Sequence, residues 1–437
     1  MADGVFYLMM DIKELYQKFK NCSGINTDTR NIDKDSMFFA LKGPNFNANL
    51  FASEAIKKGS RFAVVDEPGV VNSDHFILVE NSLAALQQLA KYHRNQLTIP
   101  IIGITGSNGK TTSKELINAV LSTQYKVTAT KGNLNNHIGV PLTLLSINKT
   151  DEIAIVEMGA NHVGEIDFLC KLTNPDCGLI TNIGKAHLEG FGSVENIIET
   201  KKALYNNLNN NHGLGFINKS DPLLISISKG INTAYYQDKA GLFGKLIENN
   251  SAELVFKYTE TEYQSKAIET HLIGNYNLNN AMAAVAIGIH FKISHKNIRE
   301  ALINYQPKDN RSQWLKTHKN AIILDAYNAN PTSTLAALEH FKTIKAENKL
   351  AVLGDMLELG SYANKEHQKI VDYVNEHKID AVFVGPIYSL CKNTKSGKAF
   401  YNTDELVEFI KRNPILRKTI LLKGSRGIKL ENLADYL

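Results

Sequence analysis

The stretch Ile101–Thr112, IIGITGSNGKTT, restricts the fold more than any other part of this chain. An apolar run meets Gly103, Gly106 and Gly109. Lys110, Thr111 and Thr112 follow, and then a helical pattern through Leu116, Ala119, Val120 and Leu121. Strand, tight loop and helix in succession is the setting in which backbone N–H groups hold phosphate. Glycine gives such a loop positive φ and lets its backbone approach the ligand. Ser107 and Asn108 complete the loop. Lys110 can reach terminal phosphates, and Thr111 can offer a hydroxyl to a phosphate-bound Mg²⁺. The common pattern has glycine where Ile104 stands, so an ordinary glycine-rich turn is the plainer alternative.

The chain has 437 residues and is 43% hydrophobic, enough for two to four domains with sizeable cores. Its 49 basic and 44 acidic residues give a formal net charge of +5, with no dense Lys/Arg block to suggest nucleic acid. Cys22, Cys170, Cys177 and Cys391 are scattered, which suits a reducing compartment without structural disulfides. The opening MADGVFYLMMDIKELY lacks the basic leader and apolar core of a signal peptide. No apolar run is long enough to span a bilayer.

The first part alternates. Helices are expected over Asp11–Phe19, Ala52–Lys58 and Leu83–Tyr92, and strands over Met37–Leu41, Arg61–Val65 and Phe76–Val79. Between them lies a polar turn, Thr27, Asp28, Thr29 and Arg30. It can hold a phosphate or sugar hydroxyl, or be a solvated turn capped by Asp28. Pro100 marks a boundary, since the residue before proline disfavours helix.

In the middle, the loop KGNLNNHIGVP offers Asn135 and Asn136, whose amides both donate and accept. Ile153–Met158 reads as a buried parallel strand with Glu157 near its carboxyl end, where ligands of open α/β sheets sit. A carboxylate there can coordinate Mg²⁺. Cys177–Thr181 repeats the pattern and leads to His187, a candidate for a second metal or a structural histidine. A helix over Ser193–Asn206 carries Lys201 and Lys202, to which local chemistry gives no role beyond a solvated face. Gly215–Asn218, Leu223–Ser226 and Thr233–Tyr236 read as strands, and residues 240–270 as a strand-rich excursion. Asn277 and Asn280 mark the entry of a helix, where they can bind a base or cap.

In the last part, strands at Ala321–Leu324, Leu350–Leu353, Ala381–Val384 and Thr419–Leu422 alternate with helices, as in a doubly wound domain. Polar residues follow these strands: Asp325, Tyr327 and Asn328, then Asp355 and Glu358, then Lys423, Ser425 and Arg426. Strand-end capping explains any one group. Three groups together suggest a substrate face.

At this point the sequence resembles the Mur ligases of bacterial peptidoglycan synthesis, over essentially its whole length. The family-wide marks are GITGSNGKTT, EMGANHVGEI, NIGKAHLEGFGS and GNYNLNNAMAA. TDTR, FFALKG, GNLNNHIGVPLTLL, AYNANPTS, LGDMLELG and KGSRG resemble the member that joins D-alanyl-D-alanine to UDP-N-acetylmuramoyl-tripeptide. The resemblance implies an α/β, three-domain architecture: residues 1–97 for the UDP-sugar substrate, 98–307 a central P-loop ATPase domain, and 308–437 a Rossmann-like domain closing over ATP and binding the dipeptide.

Carried over residue by residue, the resemblance puts Thr27, Asp28, Thr29 and Arg30 at the UDP-sugar, with Gly43 shaping the pocket. Gly106, Ser107, Asn108, Gly109, Lys110, Thr111 and Thr112 would hold ATP. Thr111 and Glu157 would hold one Mg²⁺, and His187 a second, supported by a carbamylated Lys201. Asn277, Asn280, Arg311, Asp325, Tyr327 and Asn328 would approach the nucleotide. Asn135 and Asn136 would orient substrate, and Asp355, Glu358, Lys423, Ser425 and Arg426 would line its cleft. Two positions depart from the family: Ala203, where a glutamate is frequent, and Tyr276, where a histidine is frequent. The implied partners are small molecules and no nucleic acid, the implied place is the bacterial cytoplasm, and a monomer is expected.

The chemistry that follows is activation of a carboxylate as an acyl phosphate, then attack by an amine, with Lys110 and the metal compensating charge. The catalytic set is then Lys110, Glu157, His187 and Lys201. Competing readings are another Mur-type or folylpolyglutamate-type amide ligase, and a P-loop ATPase coupled to motion or nucleic-acid handling. The second requires a basic groove with aromatic platforms.

Overall fold

The computed structural model describes residues 11–248, 252–308, 310–392, 394 and 397–437. The reading of the N-terminus as free of a leader concerns residues 1–10, outside the described residues.

Four principal sheets follow one another along the chain. The first is parallel, ordered β1-β2-β5-β6: β1 is Ile25–Asn26, β2 Met37–Phe39, β5 Phe62–Val65 and β6 Phe76–Leu78. A small hairpin, β3 (Lys42–Gly43) and β4 (Phe46–Asn47), interrupts it. The second sheet has six strands: β7 (Ile101–Thr105), β8 (Val127–Ala129), β9 (Ile153–Glu157), β10 (Cys177–Ile180), β11 (Leu214–Asn218) and β12 (Asn232–Tyr236). Their order is β12-β11-β10-β7-β9-β8.

The third sheet is antiparallel, with β13 (Leu242–Leu246), β14 (Glu253–Glu260), β15 (Tyr263–Gln264) and β16 (Ile268–Ile273). The fourth comprises β17 (Gln313–Lys316), β18 (Ala321–Asp325), β19 (Lys349–Gly354), β20 (Ala381–Val384), β21 (Gly397–Phe400) and β22 (Thr419–Lys423), ordered β17-β18-β22-β19-β20-β21. Only its edge strand β17 runs antiparallel to its neighbour.

The sequence explains the burial. β7, β9 and β10 are buried at every residue, as continuous apolar runs are when helices cover both faces of a parallel sheet. Helix Leu278–His290, rich in alanine, packs on helix Lys110–Leu121 so closely that a side chain at Gly288 would meet Val120 Cγ1 at 2.7 Å. The fourth sheet buries Ile322, Leu324, Val352, Ile420 and Leu422 in one apolar cluster.

One expected strand is a helix. Pro222–Ile227 coils because Asp221 caps it, accepting from the N–H groups of Leu223 and Leu224, and Pro222 takes its first turn. Both signals precede Leu223, and they outweigh its short apolar run.

By density of contacts the chain divides into two units. One takes residues 1–103, 125–159 and 167–177, and the other residues 104–124, 160–166 and 178–437. No helix among the described residues is long and apolar enough to cross a membrane.

Candidate active site

In the second unit, the loop after β7 turns through Gly106 (φ 144°) and Gly109 (φ 79°) into helix Lys110–Leu121. Both glycines are required by space as well as by φ. A Cβ on Gly106 would stand 2.0 Å from Thr181 Oγ1, and one on Gly109 would stand 2.5 Å from Asn280 Oδ1. Asn108 is fixed on every side. Its N–H donates to Asn182 Oδ1 (3.0 Å), and its carbonyl accepts from Thr181 Oγ1 (2.6 Å) and Asn182 Nδ2 (2.9 Å). Its side-chain oxygen accepts from Asn330 Nδ2 at 2.7 Å.

Ser107 exchanges hydrogen bonds with the backbone of Gly184. Lys110 Nζ lies over the loop and donates to the carbonyls of Gly106 (2.7 Å) and Ser107 (3.2 Å). Thr111 is buried at the start of the helix and Thr112 half-buried beside it.

Asn280 and Asn277 brace this loop from behind. Ser113 Oγ donates to Asn280 Oδ1, Asn280 Nδ2 donates to Asn277 Oδ1, and Asn277 Nδ2 donates to the Ile273 carbonyl. Both side-chain amides are thus committed to protein partners. Tyr276, half-buried, reaches Ser312 Oγ at 3.0 Å.

The segment after β10 carries His187 in a left-handed conformation (φ 53°). Its Nδ1 stands 2.5 Å from Glu358 Oε2, and that pairing holds the Glu358 carboxyl below its ordinary range. The contact is an ion-pair approach without hydrogen-bond geometry. The same segment docks on residues of the fourth-sheet region at several points. Glu189 N–H donates to the Glu358 carbonyl, Lys185 pairs with Glu366 at 3.1 Å, and Tyr362 OH donates to the Gly192 carbonyl.

Lys201 lies on helix Val194–Asn210 and is 2% exposed. It makes no hydrogen bond or close ion pair among the described residues, and the Phe191 ring centroid is 5.6 Å from its Nζ. Burial, chiefly, and the Lys110 charge push its pKa well below the ordinary lysine value, against an opposing pull from Glu165. A buried amine is the reverse of the solvated face that sequence suggested.

The strand ends of the fourth sheet bring some predicted residues together and withdraw others. Lys423 Nζ donates to Asp325 Oδ2 (2.9 Å) and to the Asn328 carbonyl (2.8 Å). Ser425 Oγ accepts from Leu357 N–H at 2.9 Å. Asp355 is fully buried and accepts from the N–H groups of Ile387 (2.8 Å) and Tyr388 (2.9 Å). Burial raises its pKa. His367 stands 3.5 Å from it but is neutral: its Nε2 accepts from Met356 N–H and its Nδ1 donates to the Ala363 carbonyl.

The polar atoms of Asp355, Lys423 and Ser425 thus tie strand ends together inside the protein. Tyr327 lies under the Arg311 guanidinium at 3.7 Å and 5.6 Å from that of Arg426.

In the first unit, Glu157 is buried at the end of β9, its N–H donating to Thr130 Oγ1 and its Oε1 accepting from Asn135 Nδ2 at 2.8 Å. Asn136 Oδ1 accepts from the N–H groups of Ile138 and Gly139, just ahead of helix Gly139–Leu145. The Thr27–Arg30 turn is open. Arg30 and Asp28 pair with each other at 2.6 Å, and Arg30 holds the Asp28 carboxyl at about 2. A side chain at Gly43 would meet nothing within 4 Å, so no close contact demands glycine there.

Sequence reasoning missed Asn330, Thr332 and Lys185. The signal for Asn330 was present: an Asn-Pro start with Ser333 three residues on forms a capping box, and it puts the Asn330 amide next to Asn108. No three His, Cys, Asp or Glu among the described residues converge as a metal set.

A glycine loop tied to a polar segment after the neighbouring strand, on a chain of successive α/β sheets, defines a multi-domain α/β enzyme. The Mur ligase middle domain matches residues 104–288, and the Mur ligase glutamate ligase domain matches residues 310–426. The chain belongs to the Mur ligase family. It is 37% identical over 432 residues to UDP-N-acetylmuramoyl-tripeptide--D-alanyl-D-alanine ligase of Bacillus subtilis, covering 95% of this chain and 93% of that protein. The Escherichia coli protein of the same name is 31% identical, with 94% and 93% covered. The crystal structure of MurF from Acinetobacter baumannii superposes with a TM-score of 0.87 at 30% identity, covering 97% of this chain and 98% of that one.

Proposed function

We propose that this enzyme joins D-alanyl-D-alanine to the terminal carboxylate of UDP-N-acetylmuramoyl-tripeptide, consuming ATP and releasing ADP and phosphate, in peptidoglycan precursor synthesis. The likeness to D-alanyl-D-alanine ligases over nearly the whole chain supports the substrates. The observation that carries the chemistry is the glycine loop, whose two positive-φ glycines have no room for a Cβ and whose helix begins at Lys110. Residues 1–97 serve the UDP-sugar, 98–307 form the P-loop ATPase domain, and 308–437 the Rossmann-like domain that receives the dipeptide.

A carboxylate is a poor acyl donor because oxide is a poor leaving group. Transfer of the γ-phosphoryl group gives an acyl phosphate. The dipeptide amine then adds to the carbonyl carbon, and the tetrahedral intermediate expels phosphate. Lys110 stabilises charge on the transferring group, and the loop N–H groups hold its partners in line.

Thr111 and Glu157 would hold one Mg²⁺, and His187, supported by a carbamylated Lys201, a second; the metal would supply charge neutralisation at the phosphates. The oxygen-rich donor set suits that ion. The buried Lys201, without a hydrogen bond or ion pair among the described residues, fits carbamylation, since burial favours the neutral, nucleophilic amine and the product is an anion. Arg311, Tyr327, Asp325 and Asn328 serve the nucleotide from the last domain, Asn277 and Asn280 brace its loop, and Asn135 orients Glu157. The enzyme acts in the bacterial cytoplasm.

The deciding experiment is ADP release by purified enzyme with UDP-linked tripeptide, comparing D-alanyl-D-alanine with single amino acids and with folate plus glutamate. Release driven by a single amino acid, and not by the dipeptide, would overturn the assignment.

A further inference from the structure

We propose that Glu358 and Arg426 form a two-ended clamp for the dipeptide, the carboxylate taking its ammonium group and the guanidinium its terminal carboxylate. The inference rests on D-alanyl-D-alanine being the amine substrate. It begins with elimination among the polar residues after β19 and β22. Asp355, Lys423 and Ser425 are buried, with their polar atoms given to backbone or to Asp325. Glu358 and Arg426 are exposed. Glu358 Oε2 faces His187, while Oε1 makes no hydrogen bond among the described residues. The Arg426 guanidinium makes no hydrogen bond or ion pair among the described residues and rests near the Tyr327 ring.

The segments bearing these two residues are tied together. Leu357 N–H donates to Ser425 Oγ at 2.9 Å, and Ser425 N–H donates to the Asp355 carbonyl at 3.2 Å. Glu358 and Arg426 each stand one residue beyond that tie. Leu357, 39% exposed, lies against Gly427, where an added Cβ would meet its Cδ1 at 2.9 Å.

D-Alanyl-D-alanine is a zwitterion whose two residues span at most about 7 Å when extended. Anion, apolar side chain and cation on adjoining loops match its ammonium, methyl groups and carboxylate. Because Glu358 also meets His187, an amine held there lies beside the segment that exchanges hydrogen bonds with the glycine loop.

The test is steady-state ligation with the UDP-linked tripeptide, ATP and Mg²⁺, offering D-alanyl-D-alanine or its C-terminal amide. Wild-type enzyme is expected to prefer the acid by roughly tenfold or more in kcat/KM, as a site built to pair a charged group rejects the analogue lacking it. Arg426→Gln should raise the dipeptide KM by a similar factor and bring acid and amide to near equality, with the KM for ATP unmoved. Arg426→Lys should restore part of the preference. Glu358→Gln should raise the dipeptide KM while keeping the acid-over-amide ratio.

Calorimetric binding of the UDP-linked tripeptide checks that each variant is folded. Where a glutamine variant fails that check, Arg426→Lys or Glu358→Asp carries the same ratio measurement. An Arg426 variant that keeps the full wild-type ratio, or a Glu358 variant with unchanged dipeptide KM, overturns the clamp. A wild-type enzyme inert toward the dipeptide overturns the substrate assignment itself.

Discussion

The glycine loop at 106–109 and the Thr27–Arg30 turn are both assigned to phosphate-bearing ligands, yet they are built in opposite ways. The backbone N–H, carbonyl and side-chain oxygen of Asn108 are all engaged, and the flanking glycines leave no clearance. At the turn, Arg30 is 86% exposed and its only charged partner among the described residues is Asp28, two residues away. The first arrangement holds its donors in place before a ligand arrives, so little ordering cost remains at binding. The second leaves a guanidinium that must leave a neighbour to meet a ligand. Substitutions in the loop should therefore damage fold and turnover together, and substitutions in the turn should touch binding alone.

Gly106→Ala should break this contrast most severely if it is wrong. Its positive φ costs on the order of 1–3 kcal/mol, and the clash with Thr181 adds to that, so a clear drop in the denaturation midpoint is expected with loss of ADP release. Lys110→Ala should lower kcat by roughly 10²–10³ while leaving the denaturation midpoint near wild type. Turnover near normal would remove Lys110 from the phosphates.

Lys201 sharpens the comparison through pH. In the unmodified protein burial depresses the folded-state pKa of Lys201, while the unfolded chain keeps the ordinary lysine value. The unfolded state then binds more protons, so stability rises with pH from the depressed folded pKa to about 10.4 and levels off above it. Lys201→Met should abolish that slope, and added short carboxylic acids should rescue Lys201→Ala but not Lys110→Ala.

Asn330→Ala removes one hydrogen bond from Asn108 and should cost about 1 kcal/mol, with a raised KM for ATP. Smallest of all, Arg30→Ala should change stability by under about 0.5 kcal/mol, as exposed pairs do, while weakening UDP-substrate binding in calorimetry. The Asp28 carboxyl held at about 2 contributes its small share above the unfolded pKa and loses it as pH falls through that value.

Much of the fold was legible because buried parallel strands write themselves as apolar runs: β7, β9, β10, β20 and β22 lie within a residue or two of their expected spans. Leu223–Ser226 misled because a short apolar run has no period of its own, and the cap at Asp221 decides it. The glycine loop was legible from spacing. The individual tasks of Asp355, Lys423 and Ser425 were not, because a polar residue after a strand reads the same whether it faces a ligand or ties two strand ends. Burial of Lys201 was equally hidden. Its neighbour Lys202 is a surface lysine in the same helix, and only the packed environment separates the two.

The buried amine of Lys201 has a consequence that reaches outside the protein. Carbamylated as proposed, this side chain would become an anion only by taking up dissolved carbon dioxide, which would link catalytic competence to the gas content of its surroundings. Enzyme prepared in degassed, bicarbonate-free buffer should start slowly and gain speed when bicarbonate is restored, with a lag set by capture of the gas rather than by any substrate.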